Sequence, residues 1–422
     1  HIPAKTKLYK NWIPIGPEMY QPAVLGSADP RGNGQSVLRN ESMKWCPPRE
    51  VFSSTVREDM IKCMKDFAYD YVSTLRKQGV TLKTLTSTAA LNKMEGTSAS
   101  EPVNLHTSAG FPFNKMTTMK GKTCFITLDE NGLRRFNKDP KCAKQVNYLM
   151  NEINKLEHEY EGRHSDVVFQ VFLKDECRKL KKIKESSTRT IAAAPLHFIV
   201  VYRKYCHALH AAMMENWHLI GPKVGISPLS MDWHSMFTRL LEVSTHGIDL
   251  DFKGWDFSHN PFLIGLLPMF YRILYTELDP NCTEKDHQIR ELLYSKIKNF
   301  HILVGNDLYQ TTGGIPSGFP GTSIDNSLIN EFIHYYAWYR VCKGSRPNFA
   351  NITSFREDVR LACYGDDVLI AISPFASQFY NGIVLQDEFS QIGFNAQATD
   401  KDAEIVAIKP LHKCTFLSRG FK

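Results

Sequence analysis

The amino-acid sequence predicts a mixed α/β fold, because segments of strand period and segments of helical period alternate along the chain. Residues 247–257 alternate apolar with polar side chains, which is the strand pattern, whereas Ile324, Leu328 and Phe332 recur at helical spacing. Loops rich in Gly and Pro separate such segments. At 422 residues the chain is long enough for more than one domain or for one large irregular fold with subdomains, and it shows no internal repeat.

The composition is that of a globular enzyme, with 43% hydrophobic and 23% charged residues. The net charge of +7 favours a polyanionic partner without identifying one. The ten cysteines are scattered singly, which is typical of free thiols in a reducing compartment. No apolar run reaches the ~18 residues that span a bilayer, and no signal peptide opens the chain. Because the sequence starts at His1, we expect processing or trimming from a longer precursor.

The elements follow from periodicity and from turn residues. Residues 1–50, rich in Pro and Gly, predict an extended arm lying over other structure. Helices are predicted over residues 55–78, 140–160, 263–278 and 324–336. Thr55 and Glu58 match a capping box at the first of these, and Pro268 marks a kink or a late start in the third. Strands are predicted over residues 167–175, 190–203, 247–257 and 302–311, and a β-hairpin is predicted over residues 359–372.

Adjacent carboxylates, Asp366 and Asp367, occupy the tip of this predicted hairpin, and Asp251 ends another predicted strand. If the strands are neighbours in one sheet, three carboxylates converge, and their repulsion calls for divalent cations. Oxygen ligands suit Mg²⁺ or Mn²⁺, and the lack of a His/Cys cluster disfavours zinc. Taken alone, a GDD sequence is better explained by a polar hairpin turn with an incidental Asp at the end of another strand.

Two further segments carry groups that suit a nucleotide. The first is a basic run, predicted to be a loop between strands, that could neutralise a triphosphate or could be a solvated hairpin. Its basic residues are Lys174, Arg178, Lys179, Lys181, Lys182, Lys184 and Arg189. The second is the loop GGIPSGFPG at residues 313–321, which lacks the Lys of a nucleotide P-loop. Ser317, Thr322 and Asn326 supply neutral groups that can hydrogen-bond a ribose, although a flexible linker would have a similar composition.

In their order along the chain, these segments resemble the motifs of viral RNA-dependent RNA polymerases of the picornavirus and picorna-like supergroup. AKTKLY and QPAVLGSADPR resemble the N-terminal index-finger arm, TSAGFP the template-contacting fingers loop, and KDECRKLKKIKESSTR the basic motif of the nucleotide tunnel. DFKGWD, SGFPGTSIDN, YGDD and TDKDAE resemble four successive palm motifs, and FLSRGF resembles the primer-grip hairpin.

This resemblance implies a right-hand polymerase with fingers and palm, in which helices flank an antiparallel palm sheet. Residues 1–246 would form the fingers with the N-terminal arm and some palm helices, and residues 247–280 the palm with the first metal motif. Residues 281–311 would be a fingers insertion, and residues 312–422 the palm through the primer-grip hairpin. The thumb of the family is expected to be missing from this chain or truncated.

The resemblance also implies roles for individual residues. Asp251 and Asp366 would bind two catalytic metal ions with Asp367 assisting, and Lys401 would be the general acid that protonates pyrophosphate. Asp256 and Asn326 would recognise the ribose, helped by Ser317 and Thr322. Lys174, Arg178 and Arg189 would hold the triphosphate, and Lys182 would contact it or the template. The implied RNA contacts are Thr107, Ser108 and Gly110 in the fingers loop and Phe416, Leu417, Ser418 and Arg419 in the primer grip.

The implied reaction is RNA-templated attack of a primer 3′-hydroxyl, or of a tyrosine hydroxyl on a small viral protein primer, on the α-phosphate of an NTP. Mg²⁺ is the implied cofactor, with Mn²⁺ able to substitute. The implied partners are RNA template and primer, NTPs, the protein primer and other replication proteins. The implied location is the host-cell cytoplasm, at membrane-associated replication complexes.

Three alternatives have distinguishable consequences. A reverse transcriptase shares a palm with paired Asp residues, but it would prefer dNTPs and needs a bulky steric gate in place of Asp256 and Asn326. A catalytically silent RNA-binding module would bind RNA without incorporation. A two-metal nuclease would not need the ribose-reading groups. Asp249 lies two residues before Asp251 on the same strand face, so it either supports the site or is satisfied by nearby groups.

Overall fold

The computed structural model describes residues 19–32, 34, 36–98, 100–400 and 403–421. The helices in these ranges are α1 (Val37–Ser42), α2 (Ser54–Lys77), α3 (Ala143–Glu157), α4 (Leu180–Lys184), α5 (Leu196–Glu215), α6 (Met231–Leu241), α7 (Trp255–Ser258), α8 (Pro261–Ile264), α9 (Leu267–Leu278), α10 (Glu284–Lys298), α11 (Thr322–Ser345), α12 (Ile352–Asp358) and α13 (Gly382–Ser390). The strands are β1 (Tyr20–Pro22), β2 (Ile126–Leu128), β3 (Arg134–Phe136), β4 (Val168–Leu173), β5 (Cys177–Lys179), β6 (Thr190–Ala193), β7 (His246–Phe252), β8 (His301–Val304), β9 (Asp307–Gln310), β10 (Val359–Tyr364), β11 (Asp367–Ile372), β12 (Ala396–Ala398), β13 (Lys409–Pro410), β14 (Thr415–Phe416) and β15 (Arg419–Gly420).

The central sheet is antiparallel, with strand order β10-β11-β7-β12 and with β13 also paired to β7. β10 and β11 form the predicted hairpin, which closes with Tyr364 opposite Asp367. β11 also runs beside β7, with Val368 opposite Leu250. Because these two strands are neighbours, the end of β7 and the start of β11 lie at the same edge of the sheet.

A second sheet has the strand order β6-β4-β8-β9, in which β4 and β8 are parallel and the other pairs are antiparallel. Its strands come from two distant parts of the sequence, residues 168–193 and residues 301–310. The segment predicted to be an insertion in the fingers therefore shares a sheet with residues assigned to the fingers. The division of the chain into fingers and palm stays a prediction.

Helix α11 lies in the interior and is buried around most of its circumference. Large aromatic side chains, including Tyr335, Tyr336 and Trp338, contribute to the core. The same helix buries the polar side chains of Asp325, Asn326, Ser327, Asn330 and Glu331. Burying polar groups is unfavourable unless they are hydrogen-bonded, so these side chains need partners on surrounding elements.

Three predicted strands are wrong in part. The one predicted over residues 247–257 ends at Phe252, and Trp255–Ser258 form α7. β6 ends at Ala193, and residues from Leu196 onward form α5. Because α5 is buried on nearly all sides, its apolar run has no clear helical period and resembles a buried strand. The segment predicted as one strand over residues 302–311 is the hairpin β8–β9, which turns at Gly305 with φ +64°.

Other boundaries differ for local reasons. The late start at Pro268 is confirmed, because Pro268 lies in the first turn of α9. The first long helix begins at Ser54, and Ser53 rather than Thr55 is its N-cap, with Oγ accepting from the Val56 N–H at 3.3 Å. The basic run is not a plain loop, since it contains β5 and α4.

The N-terminal arm is described only from Met19. There, β1 pairs with β5, so this part lies over other structure as predicted, although the arm also contains the short helix α1. The index-finger residues at positions 4–9 lie outside the described residues. No helix in the described ranges is both long enough and apolar enough to cross a membrane.

Candidate active site

The turn that carries Asp366 is fixed by the buried helix α11. The Gly365 N–H donates to Ser327 Oγ at 2.9 Å, and Asn330 Nδ2 donates to the Gly365 carbonyl at 2.7 Å. Gly365 has φ +63°, a conformation that glycine adopts without steric cost. Asp366 follows as an exposed residue, and Asp367 begins β11. Two side chains of α11 therefore hold the paired carboxylates at the sheet edge.

Asp251 lies on β7, beside the start of β11. Gln397 Nε2 on β12 donates to Asp251 Oδ2 at 2.8 Å, and the Phe252 N–H donates to Asp251 Oδ1 at 3.0 Å. Both contacts orient the carboxylate. Gln397 was not predicted as a site residue, because its role depends on the pairing of β12 with β7.

Asp367 is more enclosed than Asp366, and its Oδ2 accepts the Leu417 N–H at 2.7 Å. Burial raises the pKa of Asp367 to about 7, the Leu417 hydrogen bond opposes that rise, and the nearby carboxylates reinforce it. Those carboxylates are Asp366, Asp251 and Asp249. The raised pKa of Asp367 thus reflects its burial first and repulsion by the neighbouring carboxylates second.

The donor set at the edge fits a hard divalent cation. Asp251, Asp366 and Asp367 offer carboxylate oxygens, and a cation would relieve the repulsion recorded at Asp367. In the described residues, no three His, Cys, Asp or Glu side chains are arranged to hold one ion as they stand. Asp251 and Asp366 as the metal ligands, with Asp367 assisting, stay a prediction.

The predicted ribose-reading pair is formed. Asn326 Nδ2 donates to Asp256 Oδ1 at 3.1 Å, and Asn326 Oδ1 accepts from Trp255 Nε1 at 3.1 Å. The indole therefore sets which way the amide points. Burial raises the pKa of Asp256 to about 6, the Asp366 carboxylate adds to this rise, and Asn326 and Arg189 oppose it.

Ser317 and Thr322 have partners within their own loop region. Thr322 Oγ1 lies 2.9 Å from both the Pro316 and the Phe319 carbonyls, and Ser317 Oγ accepts from the Ala192 N–H at 3.3 Å. These bonds fold the Gly-rich loop and attach it to β6. Contact of either hydroxyl with a ribose stays a prediction.

Three of the four predicted triphosphate-binding residues surround Glu176. Its carboxylate is 3.1 Å from Lys174 Nζ, 3.4 Å from Arg178 Nη1 and 3.7 Å from Arg189 Nη1. The structure does not bring Lys182 to this group, since it pairs with Glu185 at 2.7 Å on the exposed side of α4. Glu176 was not predicted, because only the folded chain shows that it gathers these cations.

The fingers loop with Thr107, Ser108 and Gly110 is anchored to the start of α5. A Cβ on Gly110, which has φ +71°, would lie 2.4 Å from the Ala194 carbonyl oxygen, so the loop approaches too closely for another residue. Ser108 Oγ accepts the Gly110 N–H at 3.1 Å, and buried Lys122 donates to the Thr107 carbonyl at 3.1 Å. Thr107 itself is exposed, as a template contact would require.

The predicted primer-grip residues form the hairpin β14–β15. Leu417 and Ser418 have φ +49° and +59°, as in the two-residue turns that match strand twist. Phe416 is buried and stacks on Trp233 with ring centroids 5.9 Å apart, whereas Ser418 and Arg419 are exposed. The hairpin is thus attached to α6 by Phe416 and, through the Leu417 N–H, to β11 by Asp367.

Asp249 supports this hairpin and is satisfied by it. Its Oδ2 accepts from the Thr415 N–H at 2.7 Å and from Thr399 Oγ1 at 3.0 Å, and its other oxygen pairs with Lys409. The sequence left the role of Asp249 open. In the structure Asp249 is a tether, because it attaches the β14–β15 hairpin to β7. Lys401, the predicted general acid, lies outside the described residues.

We expect Asp249→Asn to lower the free energy of unfolding by about 2 kcal/mol, because it leaves Lys409 without its carboxylate partner and weakens bonds to Thr415. Thermal unfolding measures the loss. Asp387→Asn, on α13, is the matched control and should change stability by less than about 0.5 kcal/mol. Equal losses in the two variants would contradict the tether.

Comparison of the whole chain with solved structures shows the same architecture in the sicinivirus 3Dpol RNA dependent RNA polymerase. The TM-score is 0.74 at 24% identity, over 100% of this chain and 79% of that one. The chain thus has the fold of a right-hand polymerase, as the resemblance implied.

A family model described as viral RNA-dependent RNA polymerase matches residues 10–422. The genome polyprotein of human hepatitis A virus genotype IA (isolate HAS-15) is 33% identical over 336 residues, covering 76% of this chain and 15% of that polyprotein. That of simian hepatitis A virus genotype V (isolate AGM-27) is 33% identical over 331 residues, covering 76% of this chain and 13% of that polyprotein. The chain belongs to the viral RNA-dependent RNA polymerases, which are nucleotidyltransferases that bind RNA and NTPs and depend on divalent metal ions. The predicted resemblance is confirmed.

Proposed function

We propose that this chain extends an RNA strand, copying an RNA template during viral genome replication. The observation that carries the proposal is the pairing of β7 with β11, which sets Asp251 beside the Asp366–Asp367 turn. Asp256, which pairs with Asn326, lies four residues after the end of β7. The positive charge of Arg189 is near enough to oppose the rise in the pKa of Asp256. Acidic, ribose-reading and cationic groups are therefore neighbours.

Each group has a task in this reaction. The primer 3′-hydroxyl attacks the α-phosphate of the NTP, the new phosphodiester bond forms, and pyrophosphate leaves. Mg²⁺ bound at Asp251 and Asp366, or Mn²⁺ in its place, would activate the hydroxyl and offset charge on the phosphate oxygens. The triphosphate would replace Glu176 as the anionic partner of Lys174, Arg178 and Arg189. Lys401 is proposed as the proton donor to pyrophosphate.

The decisive experiment is Mg²⁺- or Mn²⁺-dependent extension of an RNA primer–template, by this chain and by a version extended beyond Lys422. We expect NTP incorporation that stops when the metal is chelated. Preference for dNTPs would indicate a reverse transcriptase. RNA binding without incorporation in both versions would instead indicate an RNA-binding module.

We expect Asn326→Ala to lower the preference for NTPs over dNTPs by about tenfold or more, because the amide that orients Asp256 is lost. The ratio of kcat/KM for an NTP and its 2′-deoxy analogue measures this. Asn306→Ala removes an amide from the exposed β8–β9 turn and serves as the matched control. An unchanged ratio in Asn326→Ala would contradict ribose reading by this pair.

The partners of the reaction are part of the proposal. A small viral protein with a tyrosine hydroxyl would act as primer, and other replication proteins would assist. The proposed location is the host-cell cytoplasm, at membrane-associated replication complexes. Incorporation of a labelled nucleotide onto a tyrosine-containing primer protein, in the presence of template, tests the first of these proposals.

A further inference from the structure

A buried carboxylate stands directly before the ribose-reading Asn326 on α11. Asp325 is fully buried, and three tyrosine hydroxyls donate to it. Tyr271 Oη lies 2.8 Å from Oδ1, while Tyr202 Oη and Tyr294 Oη each lie 2.9 Å from Oδ2. We call Asp325 with these three tyrosines the tyrosine cage.

The tyrosine cage joins three other helices to the first turn of α11. Tyr202 belongs to α5, Tyr271 to α9 and Tyr294 to α10. A second layer holds Tyr271, since His210 Nε2 lies 2.6 Å from its hydroxyl. Because the Tyr271 proton is directed to Asp325, His210 donates in this contact. A carboxylate held from three directions has little freedom to shift.

The Gly-rich loop also meets the cage. A Cβ on Gly321 would lie only 2.1 Å from Tyr202 Oη, so the loop passes directly over the cage. Gly321 is the N-cap of α11 and has no side chain with which to cap the helix. The start of α11 is thus fixed by Asp325 in its first turn, next to the residue that faces Asp256.

We propose that Asp325 is a positioning residue for ribose discrimination: its tyrosine cage fixes the first turn of α11 and thereby the placement of Asn326 against Asp256. This inference rests on the proposed function. Asp325 lies behind Asn326, contacts tyrosines rather than substrate, and acts only through its neighbour. Loosening the cage should therefore change which sugar is accepted more than it changes the rate with the preferred sugar.

The test compares kcat/KM for an NTP and its 2′-deoxy analogue on one RNA primer–template. In Asp325→Leu, which has a similar size but no acceptor, the NTP preference should fall about tenfold. Asp325→Asn keeps an oxygen for the hydroxyls and should stay within about threefold of the unmodified chain. Equal losses for both nucleotides in Asp325→Leu would overturn the proposal.

Two additions make every outcome informative. If circular dichroism shows that Asp325→Leu is unfolded, the double variant Tyr271→Phe/Tyr294→Phe decides: a lower NTP preference supports the proposal, and an unchanged preference overturns it. Asn326→Ala is measured in parallel. If it too leaves the preference unchanged, the ribose-reading pair itself is wrong. If only Asn326→Ala lowers the preference, the positioning role alone is wrong.

Discussion

Asp366→Asn is expected to lower nucleotide incorporation by at least about 10³-fold, about 4 kcal/mol of transition-state stabilisation, while the chain stays folded. Asp366 is exposed at the turn, where water can solvate an Asn side chain as well as an Asp. What the change removes is a negative charge where the reaction needs a cation. Asn is nearly the same size, and the Gly365 contacts to α11 involve only backbone atoms of the turn.

Single-nucleotide extension in saturating Mg²⁺ measures this effect. Asp307→Asn is the matched control, because it makes the same chemical change on the exposed hairpin β8–β9, at the far edge of the second sheet. Asp367→Asn should lose less than Asp366→Asn, since an amide oxygen can still accept the Leu417 N–H. Activity of Asp366→Asn close to that of Asp307→Asn would show that Asp366 holds no essential ion.

The acidic edge of the central sheet was predictable from sequence because its signals are local. The alternation of residues 247–257 and the tight turn at Gly365 each report a strand or hairpin within about ten residues. The resemblance to polymerase motifs supplied the remaining step, which is that β7 and β11 are neighbours. Neither period nor turn chemistry contains that information, since pairing of strands more than a hundred residues apart depends on the whole fold.

Partners that are distant in sequence could not be predicted. Tertiary structure alone brings Glu176 to its cations, Asp249 to the β14–β15 hairpin, and the tyrosines to Asp325. The wrong strand at residues 196–203 has a related cause. α5 is enclosed by other elements, so it lacks the polar face from which a helix is normally recognised.

A buried ion pair near the β10–β11 turn gives the largest expected effect on stability. Glu331 on α11 is fully buried and pairs with Arg356 on α12, which also contacts Asp70 on α2 at 2.9 Å. The Gly221 N–H and the Tyr71 hydroxyl also donate to Glu331. The Glu331 carboxylate therefore joins α2, α11, α12 and the segment before α6. Glu331 also directly follows Asn330, which holds the Gly365 turn.

We expect Arg356→Met to lower the free energy of unfolding by about 3–5 kcal/mol, because Glu331 would remain buried without its cation. Met preserves much of the length of the side chain, so lost charge rather than lost volume dominates. Arg272→Met is the matched control. Arg272 pairs with Glu284 and Glu291 at 2.8 and 2.9 Å on the surface, where such pairs contribute about 1 kcal/mol or less.

Thermal or urea unfolding of the two variants, followed by circular dichroism, shows whether the loss of stability depends on burial of the ion pair or on the number of ion pairs. Each arginine contacts two carboxylates, so a simple count of ion pairs predicts equal losses. Desolvation predicts a much larger loss for Arg356→Met, since water can solvate Glu284 and Glu291 but cannot reach Glu331. Equal losses would show that Glu331 is neutralised in some other way. If Arg356→Met loses more, the double variant Arg356→Met/Glu331→Gln tests the cause. It should recover part of the lost stability only if the uncompensated charge of Glu331 is responsible.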